Sequence, residues 1–234
     1  MKQFAGRHAA LALTACLALL FMLWPQLDLA LAARFYVPGH GFTALQAWWI
    51  DLSYVVVARF WILVLLFGAV LLLGKLPRWR RAWVRERRIV AYLLVALLLG
   101  PGLIVNAVLK DHWGRARPVQ LAQFGGQAQF TPALQPSNQC PRNCAFVSGH
   151  AAAAFYVMAG YWVNRRRRWL AGGIGFGLLV GLARMAVGAH FLSDVLFAGI
   201  VVYFSCRLLA WVMLRAPQTG SAWQPHPFHA RKRP

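Results

Sequence analysis

Three stretches of this chain hold residues whose types and spacing suit phosphate chemistry: Lys110 with Arg117-Pro118, then Ser148-Gly149-His150, then Arg184 with His190 and Asp194. Between them they supply fixed cations, a hydroxyl and two imidazoles. Those are the parts needed to grip a phosphate and cleave its ester. A phosphate monoester carries nearly two negative charges, and cations fixed in advance stabilise both it and the charge that develops during transfer.

Lys110 and Arg117 are seven residues apart, so on a helix continuing as far as Pro118 they project from one face two turns apart. Arg115 points elsewhere on such a helix. The plainer alternative is a basic cluster that anchors a helix at a membrane edge. Ser148 directly precedes an alanine-rich apolar run, the place of an N-cap, and the free N–H groups that follow form a ready anion site. Gly149 admits a phosphate oxygen close to the backbone, and His150 is placed to deliver a proton to a leaving oxygen. Alone, Ser-Gly-His reads as an ordinary helix cap.

His190 and Asp194 are four residues apart, one helical turn, which lets the carboxylate take a hydrogen bond from one ring nitrogen and leave the other free to attack phosphorus. Arg184 folds back toward the same point across the turn at Gly188. Alone, this group also fits an interfacial helix start with a snorkelling arginine. Asp194 begins an apolar run, where a carboxylate needs a partner. Only five acidic residues exist in the chain, too few to converge on a two-metal centre, so no metal or other cofactor is expected.

The elements that must position these groups are membrane helices. With 60% hydrophobic residues, 13% charged and eleven tryptophans, the chain has too little polar surface for a soluble globule. About six apolar segments approach the roughly 20 residues needed to cross a bilayer: residues 9–30, 53–74, 89–109, 149–163, 169–186 and 192–214. The fourth and fifth are short and rich in Ala or Gly, which points to close helix packing. The expected fold is an all-α integral membrane bundle over residues 1–214, with a disordered basic tail over 215–234.

A formal net charge of +20 invites a nucleic-acid reading, but the basic residues fall on alternate connections. Lys2 and Arg7 precede the first segment. Lys75, Arg78, Arg80, Arg81, Arg85, Arg87 and Arg88 follow the second, Arg165 to Arg168 the fourth, and Arg215, Arg231, Lys232 and Arg233 the last. By the positive-inside rule both termini are then cytoplasmic, and segments 31–52, 110–148 and 187–191 face outward with every motif. No nucleic-acid partner is expected. The first segment, with Ala30-Leu31-Ala32 after it, also fits a cleaved signal peptide, whose loss would remove no motif residue. Cys140 and Cys144 lie in the outward segment, where an oxidising periplasm favours a local disulfide bracing the approach to Ser148. Cys16 and Cys206 read as packing residues.

In order, spacing and type these motifs resemble the three-part signature of the membrane-bound type-2 phosphatidic acid phosphatase family. The likeness runs from about residue 89 to 210, with a looser one at Asp28 and Phe35 to Phe42. It implies that His190 is the nucleophile, Asp194 its orienter, and His150 the acid that protonates the leaving group and later activates water. It implies that Lys110, Arg117, Ser148, Gly149 and Arg184 bind the phosphate. The family usually has Pro before Ser-Gly-His; Val147 stands there. The expected protein is a phosphatase of the bacterial inner membrane with its site facing the periplasm. Its expected partner is a phosphorylated lipid: phosphatidate, phosphatidylglycerol phosphate, undecaprenyl pyrophosphate or lipid A, through its 1-phosphate. Lipid-to-lipid phosphotransfer, or a non-catalytic transporter or scaffold, are the alternatives.

Overall fold

The computed structural model describes residues 2–42, 44, 48–73 and 81–214. The basic connection at 75–80 and the tail at 215–234 lie outside the described residues. Helix α1 spans Lys2–Leu23 and α2 spans Gln26–Ala33. One continuous segment was expected here, but the axes of the two helices meet at 82°. The cause is Pro25, which lacks an N–H and whose ring collides with the carbonyl four residues back. The bend carries α2 across the end of the bundle and buries Asp28 beneath it.

A two-strand antiparallel hairpin follows, β1 at Tyr36–Val37 and β2 at Gly41–Phe42, then helix α3 at Trp48–Leu73. Helix α4, Arg81–Leu97, runs on as a wider π-helical stretch, Leu98–Leu109, and a last α turn, α5, Lys110–His112. Pro101 sits inside that stretch, and Asn106 Nδ2 donates to its carbonyl at 2.6 Å. Short 3-10 turns at Pro118–Gln120 and Ala122–Phe124 mark the long connection. Helix α6, Gly149–Phe155, a 3-10 turn, Tyr156–Ala159, and α7, Gly160–Asn164, follow directly on one another. Helices α8, Arg167–Ala186, and α9, Leu192–Met213, complete the chain.

Helix α6 packs on α8 and α9, and α9 packs on the π-helical stretch. On α8 the buried residues are Gly173, Gly177, Gly181 and Met185, four apart and hence on one face. A side chain at Gly173 would meet Met158, at Gly177 the Phe155 ring, and at Gly181 the Val195 side chain. Small residues thus let three helices approach closely, as the glycine content of this segment predicts. The opposite face of α8 exposes Ile174, Phe176, Leu178, Leu179 and Leu182. Large apolar groups outside and glycine inside is the arrangement that lipid, not water, supports.

Among the described residues, three helices are long and apolar enough to cross a membrane: Glu86–His112, Arg167–Ala186 and Leu192–Met213. They become four if the bent α1–α2 pair is one span. The chain order brings the end of α5, the start of α6, the end of α8 and the start of α9 to one end of the bundle. The turn at Arg165 and Arg166 between α7 and α8 lies at the other.

Candidate active site

Every residue of the three motifs lies at the first of those ends, and the backbone ties the stretches together. The Cys144 N–H donates to the Lys110 carbonyl at 2.9 Å and the Ala145 N–H to the Arg115 carbonyl at 2.8 Å. The Ser148 N–H donates to the Asp194 carbonyl at 3.1 Å, and the Val119 N–H to the Gly188 carbonyl at 2.9 Å. Stretches far apart in sequence therefore share one small volume.

Lys110 is buried on the last turn of the long helix. That helix does not continue to Pro118: it ends at His112, and Arg117 is extended, with φ −79° and ψ 155°. Gly114 causes the change. Its φ is +71°, a conformation costly to residues with a Cβ, and a Cβ there would strike the Ser137 carbonyl. The Ser137 N–H and hydroxyl bond the Trp113 and Gly114 carbonyls at 2.8 and 2.7 Å and hold the turn. Lys110 and Arg117 are therefore brought together by a loop. Arg117 donates through Nε and Nη2 to the Asn143 carbonyl at 3.2 and 2.7 Å.

Asn143 belongs to the loop closed by Cys140 and Cys144, which are joined as a disulfide with Cα atoms 5.6 Å apart. The Asn143 N–H donates to Asp111 Oδ1 at 3.1 Å, so the same residue touches both sides of the first motif.

Ser148 is the N-cap of α6, its hydroxyl accepting from the Ala151 N–H at 3.4 Å. A Cβ at Gly149 would press on Asn106 Oδ1, so a larger residue here would have to shift that side chain from its bond to the Pro101 carbonyl. His150 lies within electrostatic reach of Arg184, Lys110, His190 and Arg117, and Lys110 within reach of Arg117 and Arg184.

His190 is buried in the connection between α8 and α9. Its Nδ1 lies 2.8 Å from the Ala145 carbonyl. A carbonyl only accepts, so Nδ1 carries the hydrogen and Nε2 keeps its lone pair. Asp194 had been expected to take this bond, but its Oδ2 is 3.8 Å from Nδ1, too far for one. That oxygen accepts instead from the Phe191 N–H at 2.7 Å, capping α9, while Oδ1 accepts from Arg115 Nη1 at 2.6 Å. Burial, aided by the Lys110 and Arg117 cations and opposed by the Asp194 carboxylate, pushes the His190 imidazole down to about 4. At neutral pH it is an uncharged base.

Arg115, which a helix continuing to Pro118 would turn away from the site, is fully buried and paired with both Asp28 and Asp194, at 2.8 and 2.6 Å. Two carboxylates inside apolar segments of a chain with only five acidic residues were the available signal.

The PAP2 superfamily profile matches residues 89–218, more than half of the chain. A lipid A 4'-phosphatase of Francisella tularensis subsp. novicida is 36% identical over 229 residues, which cover 89% of this chain and 96% of that protein. A lipid A 4'-phosphatase of Rhizobium etli is 43% identical over 105 residues, 44% of this chain and 41% of that protein. Phosphatidylglycerophosphatase B of Bacillus subtilis is 28% identical over 126 residues, 48% of this chain and 54% of that protein. No solved structure matches. The profile spans all three motif stretches, and the Francisella protein aligns along nearly its whole length. The chain therefore belongs to the PAP2 superfamily and is a phosphatase of the type-2 phosphatidic acid phosphatase family.

Proposed function

We propose that this phosphatase removes the 4'-phosphate of lipid A through a phosphohistidine on His190, without a metal ion. The observation that carries the reaction is the Ala145 carbonyl on His190 Nδ1, which leaves the Nε2 lone pair for phosphorus. Lys110, Arg117 and Arg184, with the Ser148 hydroxyl and the N–H groups that open α6, hold the phosphoryl oxygens. Nε2 attacks phosphorus, the bond from phosphorus to the sugar oxygen breaks, and His150 gives that oxygen its proton. His150 then takes a proton from water, whose oxygen attacks phosphorus and frees inorganic phosphate and His190. Among the described residues no three His, Cys, Asp or Glu side chains gather to hold a metal, which favours this route over a two-metal one.

The relatives named for lipid A favour it among the four candidate lipids, at its 4'-phosphate rather than the 1-phosphate named for lipid A above. We read the chain as a six-span protein of a bacterial inner membrane, with α3 and the α6–α7 run as the remaining spans. The four arginines Arg165 to Arg168 stand at the end opposite the motifs, so the positive-inside rule turns the site toward the periplasm. Lipid mass spectrometry of cells with and without the gene tests the substrate. Lipid A is expected to regain its 4'-phosphate when the gene is lost. Unchanged lipid A beside accumulating phosphatidylglycerol phosphate contradicts the lipid A assignment.

Because His190 stays uncharged down to about pH 4, its protonation should not limit kcat/KM between pH 7 and 5. A histidine at its ordinary value would lose about thirtyfold by pH 5. The profile is to be read after dividing out the second ionisation of the substrate phosphate, near pH 6. A remaining loss of activity as pH falls through about 6.5 contradicts the burial argument, whereas His150, needed in its protonated form, acts only on the alkaline side.

Replacing both Cys140 and Cys144 by serine should loosen the loop that holds Arg117 through the Asn143 carbonyl. The expected result is a KM raised about fivefold, equivalent to roughly 1 kcal/mol of positioning, with kcat little changed. Steady-state kinetics in detergent micelles decide it.

A further inference from the structure

The signature leaves unused the most deeply buried charge beside it. The Arg115 guanidinium lies in a closed shell: Nη1 donates to Ser193 Oγ at 2.9 Å and Asp194 Oδ1 at 2.6 Å, Nη2 to Asp28 Oδ2 at 2.8 Å, and Nε to the Thr131 carbonyl at 2.9 Å. Its Cζ is 4.3 Å from the centre of the Phe191 ring. Asp28 Oδ1 accepts from the Ser193 N–H at 3.0 Å, and its Oδ2 also takes the Ser193 hydroxyl. The cation thus joins α2 to the first turn of α9, one turn from His190.

When Nε2 bonds phosphorus while Nδ1 keeps its hydrogen, the imidazole gains positive charge. A fixed carboxylate 3.8 Å from Nδ1 stabilises that charge without a hydrogen bond of its own. Arg115 beside Asp194 alone would cancel most of this field. Asp28, on the other side of Arg115, balances the cation and leaves one net negative charge beside the ring. We propose that Arg115 and Asp28 are positioning residues of the phosphatase reaction: Arg115 fixes the Asp194 carboxylate beside His190, and Asp28 neutralises Arg115 so that the field of Asp194 reaches the imidazole. This inference rests on His190 being the nucleophile.

A simple ion-pair clamp and this charge balance differ in sign. Asp28→Asn keeps the shape and removes the charge, so kcat should fall about 10- to 100-fold, the usual effect of a supporting partner, with KM within about threefold. In Arg115→Gln two carboxylates share one buried site without a cation, and one of them must take up a proton. Adding Asp28→Asn to that variant leaves Asp194 as the sole carboxylate, so the same substitution should now raise kcat. The test is kcat and KM for Asp28→Asn, Arg115→Gln and the double variant, purified in detergent, with His190→Ala as control. A slower single variant and a double variant faster than Arg115→Gln are the expected pair. An Asp28→Asn enzyme with unchanged kcat, or a double variant no faster than Arg115→Gln, overturns the inference. Should Asp28→Asn fail to fold alone, the comparison in the Arg115→Gln background decides by itself. Activity surviving in His190→Ala would instead strike the phosphohistidine reading.

Discussion

His190→Ala should abolish turnover, by about 10⁴-fold or more, because removing the proposed nucleophile leaves only the catalysis that charge placement provides. The same change removes the donor to the Ala145 carbonyl, and an unpaired buried carbonyl costs about 1–3 kcal/mol. Alanine at this position therefore weakens the fold as well as the chemistry. His190→Asn separates the two effects, since an amide nitrogen near the Nδ1 position donates to the same carbonyl yet no lone pair faces phosphorus. Both variants should be inactive, with the asparagine protein melting closer to wild type. Phosphate release from a soluble phosphomonoester and thermal melting in detergent measure the two effects, and an active asparagine variant contradicts the nucleophile assignment.

Lys110→Met should reduce kcat/KM by about 10²- to 10³-fold, the usual loss when one fixed donor to developing charge is removed. Methionine keeps the apolar stem that fills the buried site, so the loss reports the ammonium and not the packing. Arg117 is a less clean probe, because its guanidinium also holds the disulfide loop through the Asn143 carbonyl. If kcat/KM in Lys110→Met stays within about threefold of wild type, Lys110 does not face the phosphoryl group. Kinetics on the same phosphomonoester decide it.

What could be read from sequence followed from local rules. Apolar run length located the helical stretches, of which three among the described residues, or four with the bent pair, are long and apolar enough to cross a membrane, and the Ser148 cap and the four-residue spacing of His190 and Asp194 are properties of single helix starts. Most of what differs involves partners distant in the chain, and the break at Pro25 is the local exception. The helix was extended past His112 because nothing near Gly114 in sequence announces the Ser137 backbone that requires a left-handed turn. Asp194 was given to His190 because four residues separate them, while its oxygens bond Arg115 and the Phe191 N–H and the ring bonds Ala145. Pro25 was in plain view as a helix breaker, but an apolar count over residues 9–30 does not register it. Arg115 and Asp28 meet across 87 positions, a pairing that only the folded chain displays. The lipid is a separate matter: the motif residues grip phosphate alone, so the names of the relatives carry the choice of lipid A.

In the proposed reaction three separated stretches meet around one phosphoryl group with His190 Nε2 as its acceptor. Rapid mixing of the purified enzyme with a substrate labelled in its phosphate, followed by alkaline quench and peptide mapping, tests it most directly. Transient label is expected on one peptide, base-stable and acid-labile as a phosphohistidine is, at His190 and absent from His190→Asn. Turnover with no protein-bound label at any time before steady state, or label on His150, would contradict it.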